Sequence, residues 1–377
     1  MAEAFKNGKA NTLLRYRLET VELEGFDEEA LASTLKGRLS FKTDSYKNWS
    51  LFTEYDTVVA LGGEQYNSGM GTSGAYRAIY PVVADPDGSE VNQAYLAYSG
   101  FSDTTIKVGR QRILLDNQRF VGGVGWRQNE QTYDGLSVDT KVSGVGMKYA
   151  YITNVNRIFG EDVAAGGSKS NTHLLNVGKK FSAGQLTGYF YGIDNEDQLA
   201  FSTSTLGVKW AGKKLFGNPN FSYGLEYASQ SDAADSPLDY TADYLRLDAA
   251  YKFKPVKFYV GYEVLGSDDG VAAFRTPLAT LHAFNGWADK FLGTPNTGLE
   301  DVFVGISGQA GRFKWNAKYH DFTSDVNGLD FGNELDFSIG TKIAKNYNVL
   351  LKYADFSADD DGGSDVSKLW VMLQAKF

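Results

Sequence analysis

The last ten residues, Lys368-Leu-Trp-Val-Met-Leu-Gln-Ala-Lys-Phe377, alternate between two kinds of position up to the terminal carboxylate. Every odd position from Leu369 to Phe377 is apolar, whereas the even positions include Lys368, Gln374 and Lys376. Successive side chains of a β-strand point to opposite faces, so this stretch forms one apolar face and one polar face. A strand of this kind separates an apolar environment from a polar one.

The same alternation recurs along the whole chain, in paired segments of about ten residues, and helical periodicity is scarce. Segments of ~9–11 residues are long enough to cross a membrane as tilted strands. The pattern predicts about 18 strands, near 9–22, 31–43, 49–61, 89–99, 104–113, 131–140, 144–155, 171–181, 184–194, 200–211, 219–229, 240–253, 256–267, 299–309, 311–323, 333–344, 346–357 and 365–377. Trp49, Trp210, Tyr347 and Trp370 lie near segment ends and fit aromatic girdles at the membrane interfaces.

The connections between these segments alternate in length. Those at 44–48, 101–103, 182–183, 254–255, 310–311 and 345–346 are tight, whereas those at 62–88, 114–130, 157–170 and 267–297 are long. Short periplasmic turns and long outer loops are typical of outer-membrane barrels. An even number of strands then places both termini on the periplasmic side.

Composition supports one transmembrane barrel. A chain of 377 residues often forms two or more domains, but no linker divides this one, so we predict a single domain over residues 1–377. No apolar run approaches the ~18 residues of a membrane helix. The chain has no cysteine, which excludes disulfides, thiolate metal sites and cysteine nucleophiles and fits the periplasm or outer membrane. The alternative is a large soluble sandwich or propeller.

Net charge is −9, which argues against nucleic-acid binding, and its distribution indicates a mildly basic lumen. Inward positions carry the cations Arg15, Arg17, Lys36, Arg38, Lys107, Lys148, Lys209, Arg246, Lys314, Lys318, Lys342 and Lys352. Inward acids are fewer: Glu19, Glu54, Asp56, Glu226, Asp248, Glu263, Asp301 and Asp336. Rings of Arg and Lys favour anions in a narrow pore. Alternatively, these charges pair and stiffen the barrel.

Acidic residues concentrate in the loops, at 27–29, 194–197, 232–239, 268–269 and 359–361. We expect these loops to face lipopolysaccharide, and Ca²⁺ is a candidate ligand for them, although they lack the regular spacing of a dedicated calcium loop. No other metal or cofactor is predicted.

The segment from Gly109 to Gly135 contains four arginines, Arg110, Arg112, Arg119 and Arg127, together with Asp134, in a glycine-rich connection. Guanidinium groups bind carboxylates through two parallel hydrogen bonds, which suits a constriction that recognises acidic solutes. We predict a constriction built from these residues, with Arg15, Arg17, Arg38, Lys107, Arg246, Glu54 and Asp56 in the pore wall. The alternative is a loop held against the wall by Arg–Asp pairs.

Residues 104–140, the number of strands and the terminal Phe377 resemble the alginate-export family of bacterial outer-membrane barrels. The resemblance implies an 18-stranded, arginine-lined pore for an anionic polysaccharide. It places the family's pore arginines and their acidic partner at Arg110, Arg119, Arg127 and Asp134, and further arginines at Arg15 and Arg38. This chain is shorter than the polysaccharide exporter, and none of its predicted turns is long enough to plug the barrel.

We therefore predict an outer-membrane porin, not an enzyme, that passes small hydrophilic and preferably anionic solutes by passive diffusion. Two alternatives stay open: a dedicated exporter or importer of acidic oligosaccharides, and a barrel that serves as sleeve or anchor for a partner protein. The expected partners are outer-membrane lipid, lipopolysaccharide and the solute, with the barrel a monomer or loose oligomer. The start, Met1-Ala-Glu-Ala4, fits a mature N-terminus behind an added Met, with the leader missing.

Overall fold

A computed structural model describes residues 1–63, 65–69, 77–214 and 217–377. Eighteen strands form one sheet in which each pairs antiparallel with its neighbours in the chain, and the last strand pairs with the first to close a barrel. The barrel strands are β1 (Lys9–Leu23), β2 (Ala30–Lys42), β3 (Trp49–Ala60), β4 (Gly88–Tyr98), β5 (Thr104–Gln111), β6 (Thr132–Val142), β7 (Val145–Asn156), β8 (Gly167–Lys180), β9 (Gln185–Ile193), β10 (Thr203–Lys213), β11 (Phe221–Asp232), β12 (Thr241–Phe253), β13 (Val256–Leu265), β16 (Leu299–Ala310), β17 (Phe313–Thr323), β18 (Asp330–Ala344), β19 (Tyr347–Ala358) and β20 (Val366–Lys376).

Four smaller elements and one hairpin complete the described chain. Strands β14 (Ser267–Asp268) and β15 (Ala272–Ala273) pair within the connection between β13 and β16. A short helix, α1 (Ala2–Lys6), precedes β1, and single 3₁₀ turns occupy Ala164–Gly166, Leu199–Phe201 and Leu281–Ala283. No helix in the described residues is long and apolar enough to cross a membrane.

The predicted all-β transmembrane barrel is confirmed. Each predicted segment coincides with one barrel strand, and no predicted bound is more than about four residues from the observed one. The soluble sandwich or propeller is wrong, because the sheet closes on itself and leaves no edge strand. Closure satisfies the backbone donors and acceptors that lipid cannot.

The long connections lie at one end of the barrel, which we call the loop end; the other is the turn end. Connections at the turn end are 43–48, 99–103, 143–144, 181–184, 214–220, 254–255, 311–312 and 345–346. Those at the loop end are 24–29, 61–87, 112–131, 157–166, 194–202, 233–240, 266–298, 324–329 and 359–365. The expected alternation holds for the two ends but not for every pair, since 24–29 is no longer than 43–48.

Burial is the reverse of that in a soluble protein. The inward side chains of Arg17 and Lys36 are 0% exposed, whereas the outward Leu39 and Leu206 are 57% and 66% exposed. This inversion follows from the period of two: charged positions turn to the lumen and apolar positions to the outside. The apolar belt is the surface that contacts lipid.

The aromatic girdle is present at the turn end, with one exception to the prediction. Trp49 is half exposed and its ring lies 4.8 Å from that of Tyr98, which meets Phe101 at 5.5 Å. Trp370 was expected in a girdle, but it is 0% exposed and faces the lumen. It occupies the same face of β20 as Lys368, so the alternation of the strand, not the residue type, determines its position.

We expect the loop end to face the medium and the turn end to face the periplasm. A cysteine in place of Asp360, in the exposed 359–365 loop, should react with a membrane-impermeant thiol reagent on intact cells. A cysteine in place of Lys345, in the exposed 345–346 turn, should react only after the outer membrane is permeabilised. Because the natural chain has no cysteine, no background signal is expected, and the opposite pattern of labelling would invert this topology.

Candidate functional site

Two connections from the loop end fold back into the barrel and meet in its interior. We call residues 112–131 the first inner loop and residues 266–298 the second inner loop. The amide of Gly122 donates to the carbonyl of Leu278 at 2.8 Å, and the amide of Thr280 donates to the carbonyl of Gln118 at 3.0 Å. Tyr133, fully buried on β6, donates its hydroxyl to Gly122 at 2.7 Å. The two loops therefore form one folded unit within the lumen.

One group of charges anchors the first inner loop to β2 and β3. The guanidinium of Arg38 makes two hydrogen bonds of 2.6 Å to the carboxylate of Asp56 and reaches Glu130 at 2.8 Å. Arg112 contacts the same Glu130 and donates to Glu54 at 2.5 Å. Predicted pore residues from the wall and from the loop thus share a common set of carboxylates.

Glu130 is an ionised group within this set. Burial alone raises the pKa of its carboxyl, but the charges of Arg38, Lys36 and Arg112 outweigh burial and lower that pKa to about 2. Glu130 is therefore negative at every physiological pH and holds its partners electrostatically.

A second group joins the first inner loop to β1. Arg15 donates to the carbonyls of Gly125, Trp126 and Arg127 at 3.0–3.2 Å. Arg127 itself donates to the carboxylate of Glu19 at 3.0 and 3.2 Å and to Asp289 of the second inner loop at 3.1 Å.

Arg17 belongs to the same group and is completely buried. It pairs at 3.0 Å with Asp85, from the 61–87 connection, and its guanidinium carbon lies 4.3 Å from the ring centre of Trp126. Asp85 also accepts the amide hydrogen of Gln128 at 2.7 Å. Three connections and one wall strand are therefore held together by buried ion pairs.

The remaining predicted residues form smaller contacts. Arg119 is 2% exposed and donates to Glu263 at 2.7 Å and to Asn285 at 2.9 Å. Arg246 reaches the same Glu263 at 3.3 Å. In separate contacts along the wall, Arg110 donates to Asp134 at 2.9 and 3.3 Å, and Lys107 lies 4.9 Å from the ring centre of Tyr95.

The structure thus places most of the predicted site residues at lumen-facing positions or on the first inner loop, but in several groups and not at one point. Arg110 and Asp134 are exceptions, and the structure does not place them in the pore as predicted. They lie opposite each other on the outward face that Arg110 shares with the exposed Val108, whereas the adjacent pair Gln111 and Tyr133 faces the lumen. Every predicted arginine contacts at least one carboxylate or backbone carbonyl. This arrangement fits anchoring of the inner loops, the alternative considered above. A direct role of these arginines in solute recognition stays a prediction.

An aromatic cluster that the sequence did not indicate lies where the inner loops meet β19 and β20. The indole of Trp126 stacks on the imidazole of His282 with ring centres 4.7 Å apart, and it meets Trp370 edge-on at 5.7 Å. The ammonium of Lys352 lies 3.7 Å from the ring centre of Trp287 and 4.3 Å from that of Trp126. Desolvated cation–π contacts of this kind are worth about 2 kcal/mol or more.

His282 fixes this cluster through both ring nitrogens. Burial lowers its pKa to about 3, so the ring is neutral at physiological pH. Its Nδ1 then donates to Asp289 at 2.7 Å, and its Nε2 accepts from the ammonium of Lys352. Asp289 also accepts from Lys368 at 3.1 Å.

A signal for the second inner loop was present in its composition. Its core, from Ala272 to Phe291, is rich in alanine, leucine and aromatic residues, whereas the loop at 359–365 consists only of aspartate, glycine and serine. A loop in water gains nothing from apolar side chains, so such a run indicates burial. Phe274 at 0% and Leu278 at 4% exposure show that this loop is buried in the lumen.

A cavity lies at the turn end, along the wall from β8 to β17, and we call it the wall cavity. Its volume is about 900 Å³. The inner loops contribute Asp116, Asn117 and residues 283–285 to its lining, and the turns at 181–184 and around 211–214 contribute the rest of its rim. The opposite wall, near Arg17 and Lys36, is filled by the inner loops, so the open space in the barrel is off-centre.

The described residues contain no group of three or more His, Cys, Asp or Glu side chains placed to hold a metal ion. The calcium site suggested for the acidic outer loops stays a prediction.

A closed 18-stranded barrel with an apolar belt, a charged lumen and inner loops defines an outer-membrane β-barrel of the porin type. The alginate-export family matches residues 39–255, more than half of the chain, and the chain belongs to that family. The predicted family and outer-membrane location are thereby confirmed.

Solved structures show the same fold at low sequence identity. OpdO of Pseudomonas aeruginosa aligns with a TM-score of 0.77 at 11% identity, covering 100% of this chain and 98% of that one. OccAB4 of Acinetobacter baumannii gives 0.75 at 12% identity, covering 98% of both chains. A BenF-like porin from Pseudomonas fluorescens gives 0.74 at 13% identity, covering 99% of both. In the comparison with curated proteins, no sequence matches this chain.

Removing the positive charge of Arg127 should release the inner loops without unfolding the barrel. Arg127→Gln removes the guanidinium that bonds the buried Glu19 and leaves Asp289 with only His282 and Lys368 as partners. Loss of one member of a buried ion pair costs about 3–5 kcal/mol. Limited proteolysis in detergent should cleave the variant faster within 112–131. Arg312→Gln, in an exposed turn where the guanidinium contacts the ring of Phe313 and has no ion pair within the described residues, is the matched control. Equal cleavage of the two variants would contradict the anchoring role.

Acid should loosen the inner loops. The pKa of His282 falls from 6.5 to about 3 in the folded loop, and that of Glu130 falls from 4.5 to about 2. Both groups bind protons more readily when the loops are open, so their contribution to stability is complete above pH 6.5 and decreases as pH falls toward 2.

The measurement is amide hydrogen exchange of the inner loops at pH 7 and pH 4, corrected for intrinsic rates. We expect protection to fall by roughly tenfold or more at pH 4, with strand protection unchanged. His282→Gln removes the group with the larger shift in this range and should show a smaller difference. Equal protection of the natural loops at the two pH values would show that opening does not expose these groups.

Proposed function

We propose that this outer-membrane barrel is a passive channel for small hydrophilic solutes and that it favours anions. The observation that carries the proposal is the charge of the wall cavity. Seven Lys and Arg side chains line it against four Asp and Glu side chains.

The four acids are all engaged. Glu263 is held by Arg119 and Arg246, and Asp248 by Arg246 at 3.3 Å. Asp301 accepts from His320 at 2.7 Å, and Asp116 accepts an amide hydrogen of Asn176 at 2.6 Å. Arginines therefore neutralise Glu263 and Asp248, whereas Asp116, which within the described residues is bound only to a neutral amide, keeps its negative charge.

Several of the cations, in contrast, have no carboxylate partner within the part of the chain that the structure describes. These are Lys180, Lys213, Lys214, Lys257 and Lys318. An excess of unpaired positive charge in a cavity with low-dielectric walls raises the local concentration of anions.

The geometry supports small solutes over a polymer or a protein partner. Side chains of the barrel's own loops fill much of the lumen, including the buried Arg119, Val121 and Phe274. A cavity of about 900 Å³ accommodates a metabolite-sized molecule. A sleeve for a partner protein, or a path for a long polysaccharide, requires space that the inner loops occupy.

Neither a cofactor nor catalysis enters this proposal, and the porins it resembles in fold are not enzymes. The apolar belt is in contact with outer-membrane lipid, and the acidic outer loops would face lipopolysaccharide. We further propose that the barrel acts as a monomer or loose oligomer.

The test is the reversal potential of the purified protein in a planar bilayer under a KCl gradient. We expect the sign for chloride preference at ~0.1 M salt, and a smaller preference at ~1 M, where the screening length falls from ~10 Å to ~3 Å. A double substitution, Lys213→Gln and Lys257→Gln, should move the potential toward zero. A preference for potassium, or a potential unaffected by these lysines, would contradict anion selection by the cavity.

A further inference from the structure

The aromatic lining of the wall cavity adds a feature that charge alone does not explain. The ring of Tyr259 on β13 lies directly across Gly305 on β16, since a Cβ atom at that glycine would be 2.2 Å from the ring. Its hydroxyl donates to Asn316 of β17 at 2.6 Å. The ring therefore covers Gly305 and reaches β17, and Tyr259 is one of the residues that line the cavity.

A second aromatic ring comes from the second inner loop. Phe284 is half-buried and lines the cavity from the loop side. The guanidinium carbons of Arg119 and Arg246 lie 4.9 and 5.6 Å from its ring centre. Because Arg119 is buried and bound to Glu263, it fixes the orientation of Phe284 as well as its depth in the barrel.

Lys318 supplies a positive charge beside these rings. Its ammonium lies 5.1 Å from the ring centre of Phe303, and Arg246 lies over the same ring at 5.4 Å. Phe303 in turn lies across Gly261, where a Cβ atom would be 2.0 Å from the ring. Within the described residues Lys318 makes no ion pair, and it is only partly buried. The cavity thus presents a positioned cation without its own counter-ion.

We propose that the wall cavity is a binding site for small organic anions that carry a flat apolar body, such as aryl carboxylates. This inference rests on the proposed channel function and specifies the solute for it. Tyr259 and Phe284 would receive the flat body, and burial of its apolar surface favours binding. Lys318, which has no counter-ion within the described residues, would receive the carboxylate through a charge-assisted hydrogen bond. A simple inorganic anion gains only the second contribution, and a neutral aromatic solute only the first.

The wall cavity also opens toward only one end of the barrel, the turn end. Its rim includes residues of the turn at 181–184 and strand ends at the turn end, among them Lys180, Lys213 and Lys257, whereas its inner end is formed by the inner loops. We therefore expect a solute to reach it more readily from the turn end, which faces the periplasm.

The binding experiment uses four small probes and the full-length protein in detergent. Phenylacetate carries both the ring and the carboxylate, acetate only the carboxylate, 2-phenylethanol only the ring, and 2-phenylethylamine the ring with the opposite charge. By equilibrium titration at ~0.1 M salt, phenylacetate should bind at least about fivefold more tightly than each of the others. Equal binding of phenylacetate and 2-phenylethanol, or of phenylacetate and acetate, would overturn the site.

Variants assign the contacts. Lys318→Gln should weaken phenylacetate binding by about fivefold and leave that of 2-phenylethanol unchanged, and Lys318→Arg should restore it. Phe284→Leu should weaken phenylacetate but not acetate. Lys345→Gln removes one exposed positive charge at the turn end outside the cavity and is the matched control. Equal effects of Lys318→Gln and Lys345→Gln would show that only the general charge of this end matters and would overturn the site.

Single-channel recording separates this inference from the channel proposal. Phenylacetate added at the turn end should block the current at lower concentration than the same probe added at the loop end. Specific binding in detergent with no current in bilayers would contradict the channel and leave the site standing. An anion-selective current that phenylacetate and acetate affect equally would leave the channel standing and overturn the site.

Discussion

The pairing of β20 with β1 is the interaction on which the rest of this structure depends. From Leu13 opposite Lys376 to Leu23 opposite Val366, the register of these strands joins the two ends of the sheet. In hydrocarbon an unpaired backbone group costs several kilocalories per mole, so an open sheet is not an option. Once the sheet is closed, alternate side chains of each strand face either the lipid or the lumen. The burial pattern of every strand follows from this alternation.

A closed barrel of this size creates a second problem, which the inner loops solve. The charged inward residues near the first strands are removed from bulk water, and buried charges are tolerated only with partners. Asp85, Glu130 and Asp289 supply those partners from three different connections. Folding of the loops and neutralisation of the wall are therefore one event, which explains why fully buried Arg17 and Lys36 occur on transmembrane strands.

The strands were predictable because their information is local, whereas the partners of the arginines were not. Strand positions follow from a period of two within about ten residues, and parity alone places Arg15, Arg17 and Lys318 in the lumen. In contrast, Arg127 meets Glu19 and Arg119 meets Glu263 across 108 and 144 positions of the chain. No sequence periodicity encodes contacts at such a separation.

Trp370 illustrates the same limit from the other direction. Residue type favoured a membrane girdle for Trp370, but its position in the alternation of β20 directs the side chain to the lumen. There Trp126 of a distant loop packs against it. Parity was the stronger signal because reversing one side chain requires a shift of the whole strand by one residue. The general statistics of tryptophan in membrane proteins carry no such constraint.

Pairing also decides which charges remain for function. An arginine bound to two carboxylates at about 3 Å, as Arg127 is, has most of its field cancelled close by and its hydrogen-bond donors already used. A lysine with no counter-ion keeps both its field and its donors. Selectivity in this barrel is therefore expected to reside less in the dense arginine segment than in the dispersed lysines of the wall cavity. The arginines affect selectivity indirectly. Because they hold the inner loops to the β1–β3 side, the opposite wall stays open, with Lys318 and the aromatic rings facing the remaining space.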